Sequence, residues 1–147
     1  PSILSIHKNI KKGSFSFHKI NASDVESEIN NLDTTKSNPR NSIPAKCLKD
    51  NIEICTEVLH NIINNGIENS TFDDDMKLAD IAPIHKKDES TVKTHYRPVS
   101  GLPAGSKIFE RTLGTQMGRY MDKFLSPYLC GYRKGYSAQH ALITLLE

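Results

Sequence analysis

A chain of 147 residues that is 37% hydrophobic and 24% charged is long enough to form one ordinary hydrophobic core. Its net charge of +2 indicates no particular partner, and no apolar run approaches the ~20 residues that a membrane-spanning helix needs. Three cysteines without CxxC spacing indicate neither a disulfide framework nor a zinc site. Because no signal-peptide pattern opens the chain, we expect an intracellular protein of the cytoplasm or nucleus. We expect no secretion, no membrane contact and no disulfide-linked partner.

The first half of the chain predicts an irregular lead-in followed by two helices. Residues 1–21 keep no sustained apolar period, whereas Ser23 opens a capping box and an apolar repeat follows it, which predicts a helix from Asp24 to about Leu32. After a loop of turn-forming residues, Pro44 can occupy the first turn of a second helix. The apolar repeat of that helix runs to Gly66, a typical C-terminal stop.

The second half predicts a hairpin and two more helices. The stretches "LADIAPIHK" (78–86) and "HYRPVS" (95–100) indicate antiparallel strands joined by a polar turn. Ser106 is expected to cap a long helix that ends near residue 126, and Ser137 to cap a last helix. The predicted fold class is therefore α+β and mostly helical, with a short antiparallel β-hairpin flanked by amphipathic helices.

Cations gather at one end of the predicted hairpin. Lys86 and Lys87 end the first strand and Arg97 lies near the start of the second, so antiparallel pairing brings them within reach of one anion. Arginine offers a planar fork of donors for phosphate oxygens and lysine a mobile point charge. Pro98 restricts Arg97 to extended backbone, which aims its side chain. On these grounds alone a phosphate clamp and a solvated hairpin explain the pattern equally well.

Charge is distributed unevenly along the chain. Residues 107–134 carry six lysines and arginines against two carboxylates, as expected where a polyanion binds, although a merely solvated basic face has the same composition. Residues 73–75 are three consecutive aspartates, which we expect to be solvated rather than to bind a metal. No nucleophile elbow, HExxH or P-loop occurs. We therefore predict no catalytic residue and no metal ligand in this chain.

Two long stretches carry a resemblance to a known family. "DDDMKLADIAPIHKKDESTVKTHYRPVSGLPAGSKIFERTL" and "LSPYLCGYRKGYSAQHALITLLE" resemble the fingers region of reverse transcriptases from non-LTR (LINE-type) retrotransposons. In that family a segment of the form WK.A.I.PI.KK.D leads to YRP(I/V)S.L...SKIFE and then to GFRKG.ST..AL. The resemblance covers the chain from about Phe15 to its last residue.

The resemblance implies a domain organisation and a set of contacts. Residues 22–147 would be a partial reverse transcriptase domain, the fingers, that stops before the catalytic palm. Lys86 or Lys87 and Arg97 would contact the triphosphate of an incoming deoxynucleotide. The turn that lies along the template strand would contain Gly131, Arg133, Lys134 and Ser137.

The resemblance also implies partners that act in the complete enzyme. An RNA template, a DNA primer and a deoxynucleoside triphosphate (dNTP) are the expected partners, and Mg²⁺ is expected on palm aspartates that fall beyond these residues. The chain by itself is therefore expected to hold no cofactor and to be inactive as an RNA-directed DNA polymerase. Departures from the family pattern, such as Met76 and the helical Gly114, leave two alternatives: a non-catalytic RNA- or DNA-binding remnant, or a non-functional product of a degenerate retroelement.

Overall fold

A computed structural model describes residues 14–36, 39, 42–126, 128–131, 133 and 135–146. The chain is α+β, about half helical, with a two-stranded antiparallel sheet. The elements in chain order are α1 (Ala22–Asn30), α2 (Ala45–Asp50), α3 (Ile52–Asn69), α4 (Asp74–Lys77), β1 (Asp80–His85), a 3₁₀ turn (Lys93–His95), β2 (Tyr96–Gly101), α5 (Ala104–Met121) and α6 (Ala138–Leu146).

The chain divides into two compact units. The main unit comprises residues 17–115, and the terminal unit comprises residues 1–16 together with 116–147. The boundary therefore falls within α5. Every described residue that is buried belongs to the main unit. The hydrophobic core consequently lies in the main unit, where it is formed by α1, α2, α3 and the first half of α5.

Helix α1 begins two residues before its predicted start. Asn21 precedes the helix and its N–H donates to Asp24 Oδ2 at 3.2 Å, so the capping pair is Asn21 and Asp24 rather than Ser23 and Glu26. The predicted apolar face is confirmed, because Val25 and Ile29 are fully buried.

The single helix predicted between Pro44 and Gly66 is in fact two helices. The helix is interrupted at Asn51, where the backbone leaves helical geometry (φ −124°, ψ 43°). The side-chain amide of Asn51 donates to the Cys47 carbonyl at 3.0 Å. Asparagine favours such a break because its side chain competes with the helix for backbone partners. Helix α3 then continues past Gly66 to Asn69 and ends where Ser70 turns left-handed, with φ 53°.

Gly66 has a packing role instead of the predicted terminating role. A Cβ at this position would lie 2.8 Å from the Thr71 carbonyl oxygen and 3.0 Å from Phe109 Cζ. Glycine is needed because other parts of the main unit approach the α3 backbone closely here.

Helix α5 also differs from its prediction. It begins at Ala104, so Ser106 lies inside the first turn and is not the cap; its buried hydroxyl donates to the Met76 carbonyl at 2.8 Å. The helix ends at Met121, before the predicted stop at residue 126. Along this helix Phe109 is buried and Leu113 packs against the core, whereas Met117 is half exposed.

The structure also describes the three cysteines and the length of the apolar helices. Cys47, Cys55 and Cys130 are all free thiols. Among the helices that the structure describes, none combines the length and the apolar composition needed to cross a lipid bilayer.

Candidate phosphate-binding site

The site lies on the two-stranded ribbon formed by β1 and β2. The strands pair from Asp80 opposite Gly101 to His85 opposite Tyr96, and this register places Arg97 directly opposite Ile84. The Lys86 N–H donates to the His95 carbonyl at 2.8 Å, so the ladder continues one residue beyond β1.

The register places Lys86 and Arg97 on the same face of the ribbon. Directly opposite residues share a face and alternate residues along a strand return to it, so Lys86, two residues after Ile84, lies on the Arg97 face. The two residues are diagonal neighbours, a relation that separates Cβ atoms by about 7–8 Å and is within reach of long side chains. The structure thus brings together the two kinds of cation that the sequence placed at one end of the hairpin.

Neither cation has a competing partner within the described part of the chain. Lys86 and Arg97 are both exposed, and no described residue forms an ion pair or a side-chain hydrogen bond with them. A guanidinium already bound by a carboxylate would have to exchange that partner for a phosphate. Here both cations are available to an incoming anion without such an exchange.

Lys87 has different surroundings. Its Nζ lies 3.7 Å from the Asp88 carboxylate, and this carboxylate also lies 3.9 Å from His95 Nε2. Asp88 has a left-handed backbone with φ 62°, a conformation that aspartate tolerates better than most residues. The geometry therefore separates the two lysines that the sequence left as equivalent candidates, because only Lys87 has a carboxylate beside it.

Three side chains at the two ends of the loop that follows β1 form hydrogen bonds to its carbonyl groups. His85 Nε2 donates to the carbonyl of residue 88 at 3.0 Å, His95 Nδ1 to that of residue 89 at 2.9 Å, and the Tyr96 hydroxyl to that of residue 90 at 2.7 Å. The His85 and Tyr96 rings also contact each other edge to face, with centroids 5.3 Å apart. Sequence reasoning missed these three residues; the signal available was an aromatic or imidazole ring at each end of the polar turn.

Proline interrupts the row of hydrogen-bond donors on each edge of the ribbon. Pro83 and Pro98 are directly opposed. Directly opposed pairs in an antiparallel ladder alternate between hydrogen-bonded and non-hydrogen-bonded pairs. Lys86 and His95 are hydrogen-bonded, and the proline pair lies three positions along the ladder, so it is a non-hydrogen-bonded pair. At such a pair the N–H would point outward, so each proline removes a donor from one outer edge.

The residues predicted to lie along a template belong to the terminal unit. Gly131 and Ser137 are exposed, while Lys134 lies outside the described residues. The Ser137 hydroxyl lies 3.0 Å from His140 Nδ1, at the start of α6. These positions therefore lie in a different unit from Lys86 and Arg97.

Arg133 has a packed side chain, unlike the other described members of that set, Gly131 and Ser137. Only 16% of its side chain is exposed, and its guanidinium lies 3.5 Å from the Asp122 carboxylate and 4.5 Å from the centre of the Tyr136 ring. It also donates to the Ser126 carbonyl at 3.3 Å. These contacts connect Arg133 to the end of α5 and to Tyr136, and they give its guanidinium a carboxylate partner within its own unit.

The aspartates at 73–75 have local roles. Asp73 accepts the Asp75 N–H at 2.9 Å as the cap of α4. A hydrogen bond from Lys77, together with its charge, lowers the pKa of the exposed Asp74 carboxyl. Among the residues that the structure describes, no group of three or more His, Cys, Asp or Glu side chains is arranged to hold a metal ion.

The chain was compared with known protein families and with curated proteins. Neither a scan against protein-family models nor a search of the curated proteins found a match to the chain. The function proposed below therefore depends on the geometry of the ribbon and on the resemblance of the sequence blocks.

Proposed function

We propose that the β1–β2 ribbon binds the triphosphate of a dNTP, and that the chain is the fingers portion of an RNA-directed DNA polymerase of the non-LTR retrotransposon type. The observation that carries the proposal is the placement of Lys86 and Arg97 on one exposed face, without a carboxylate partner among the described residues. The order of the sequence blocks on either side of these residues supports the same function.

The geometry suits a polyphosphate better than a single small anion. Two cations whose Cβ atoms are about 7–8 Å apart can contact different phosphoryl groups of one chain. Arg97 can bind phosphate oxygens with two parallel N–H donors, whereas Lys86 adds a mobile charge. The braced loop beyond Lys86 reduces the conformational freedom that binding would otherwise remove.

The remaining partners belong to the proposed complete enzyme. There an RNA template would run along the turn that contains Gly131, Arg133, Lys134 and Ser137, paired with a DNA primer. Mg²⁺ on palm aspartates would stabilise the attacking and leaving oxygens. Within the present residues, the chain's part is to bind and orient the triphosphate.

Titration of the chain with deoxyguanosine triphosphate, followed by amide chemical shifts, tests this proposal. Arg97→Ala should weaken binding roughly tenfold or more, because a hydrogen bond to a charged group contributes about 1.5–3 kcal/mol. Lys46→Ala is the matched control, since Lys46 is an exposed cation on α2, away from the ribbon. Equal loss in both variants, or shifts that do not map to the ribbon, would show that the nucleotide binds elsewhere.

A second function, binding of single-stranded nucleic acid without catalysis, is favoured by the aromatic surface of the terminal unit. Tyr128 is 73% exposed and Tyr136 is 41% exposed beside Arg133, an arrangement on which bases can stack. Binding of a short single-stranded RNA should then weaken with salt, with a log–log slope of roughly −0.7 per phosphate contact. Binding that is insensitive to salt would exclude this function.

A further inference from the structure

An open apolar groove runs along α3, and no residue of α1 is among its described lining residues. Its lining residues include Ile54, Val58 and Ile62 on α3. Ile43, Met76 and Pro103 from other segments also line it. We call it the α3 groove, and its volume is about 470 Å³. It lies wholly within the main unit, and none of the ribbon residues lines it.

The aliphatic side chains of the groove are unusually exposed. Ile54 is 68% exposed, Val58 50%, Ile62 38% and Ile43 64%. The row on α3 repeats at i, i+4 and i+8, and it borders the buried face that carries Leu59 and Ile63, of which Leu59 also lines the groove. A contiguous apolar surface of this kind, on a helix whose other face already forms the core, is typical of a surface that binds a partner.

The charged group that the described part of the groove contains is acidic. Among its described lining residues, Asp75 is the only ionisable one other than the Cys55 thiol. Glu53 and Glu57 are exposed neighbours of Ile54 and Val58, and none of these three carboxylates forms an ion pair with a described residue. The lysines next to lining residues in the sequence are Lys49, Lys77 and Lys107, and none of them lines the groove. Lys49 donates instead to the Asn30 carbonyl and Lys77 to the Asp74 carboxylate.

We propose that the α3 groove binds an amphipathic helix of a partner protein, with aliphatic residues on one face and lysine or arginine flanking them. The row from Ile54 to Ile62 rises about 12 Å, which matches two turns of a docked helix with anchors at i, i+4 and i+7. The unpaired carboxylates select a basic partner. A second copy that packs α3 against α3 is disfavoured, because it would bring Glu57 towards its own equivalent.

The test uses two fluorescently labelled 18-residue peptides, each with leucine at i, i+3, i+4 and i+7. The flanking positions are lysine in one peptide and glutamate in the other. The lysine peptide should bind the whole chain saturably, and about tenfold more tightly than the glutamate peptide. Absence of saturable binding, or equal affinity for the two peptides, would overturn the proposal.

A pair of variants with equal exposure locates the binding surface. Ile54 and Ile81 are each 68% exposed, so aspartate at either position should leave the fold intact. Ile54→Asp should weaken the lysine peptide about tenfold or more, because it places a charge in the apolar contact, whereas Ile81→Asp on the ribbon should leave affinity within about twofold. Equal effects would overturn the assignment. Sedimentation that shows a dimer in the unmodified chain and a monomer in Ile54→Asp would assign the groove to a second copy instead.

Discussion

Two adjacent lysines, Lys86 and Lys87, follow the same strand but lie in different electrostatic surroundings. Lys86 continues the ladder and shares the face of Arg97, whereas Lys87 lies 3.7 Å from the Asp88 carboxylate. Residue identity alone cannot separate them, because both are exposed cations one peptide apart. Their difference comes from the register of the ribbon and from the left-handed turn at Asp88.

This difference predicts unequal effects on nucleotide affinity. Lys86→Ala should weaken triphosphate binding by about tenfold, whereas Lys87→Ala should change it by less than about threefold, since the Lys87 charge is already partly balanced by Asp88. Isothermal titration calorimetry with a deoxynucleoside triphosphate measures both. The reverse ranking would mean that Lys87 is the phosphate contact.

Two helical glycines should respond in opposite ways to alanine. Helix propensity favours alanine by about 1 kcal/mol at both positions. At Gly66 a Cβ would lie 2.8 Å from the Thr71 carbonyl, and backbone cannot move aside cheaply, so Gly66→Ala should destabilise the chain by about 1–3 kcal/mol. At Gly114 no side chain or other segment of the described residues lies within 4 Å of an added Cβ, so Gly114→Ala should stabilise it by up to about 1 kcal/mol. Urea denaturation measures both changes, and stabilisation by Gly66→Ala would contradict the packing role.

Among the helices and strands, the sequence predicted those features that depend only on neighbouring residues. The strand pair was expected at 78–86 and 95–100 and is found at Asp80–His85 and Tyr96–Gly101, because a polar turn between apolar runs is a local feature. The break at Asn51 and the passage of α3 beyond Gly66 were not predicted. The first depends on a side-chain competition that an uninterrupted apolar repeat conceals. The second depends on a left-handed turn at Ser70, a residue that carries no strong stop signal, and there the Thr71 N–H donates to the Gly66 carbonyl.

The candidate site was predictable to the same extent. Sequence order was sufficient to place lysines and an arginine at one end of a hairpin. Sequence order could not show which face of the ribbon each side chain occupies, because a shift of one residue in the strand register would have placed Arg97 on the face opposite Lys86. The bracing of the loop by His85, His95 and Tyr96 depends on carbonyl positions that no sequence pattern specifies.

The ribbon should be the least protected regular element of the main unit. Every residue of β1 is exposed, as are the four central residues of β2, and a two-stranded ribbon without a covering layer is only marginally stable in water. Amide hydrogens of Ile84 and Val99 should therefore exchange much faster than those of Ile29 and Ile63 in the buried helices. Hydrogen exchange followed by NMR tests this. Protection of the ribbon equal to that of α3 would show that another surface covers it.

For the molecule as a whole, burial is confined to one unit. All described buried side chains lie between residues 17 and 115. In the terminal unit three described apolar residues of α6 are largely exposed, with Leu142 at 60%, Ile143 at 57% and Leu146 at 87%. Burial of apolar area is the dominant favourable term in folding. The described residues of the terminal unit therefore bury much less apolar area than those of the main unit.

This imbalance predicts an order of unfolding. In a series of urea concentrations, hydrogen exchange measured by mass spectrometry should show peptides from α6 losing protection first. Peptides from α1 and α3 should lose theirs later and together, because these helices share one core. A cooperative late transition would also argue against a non-functional, partly folded product of a degenerate element, since such a chain would lack a packed core. If α1 and α3 instead lose protection gradually and without a common midpoint, the buried residues of the main unit do not form a cooperative core, and the ribbon would have no rigid support from which to present Lys86 and Arg97.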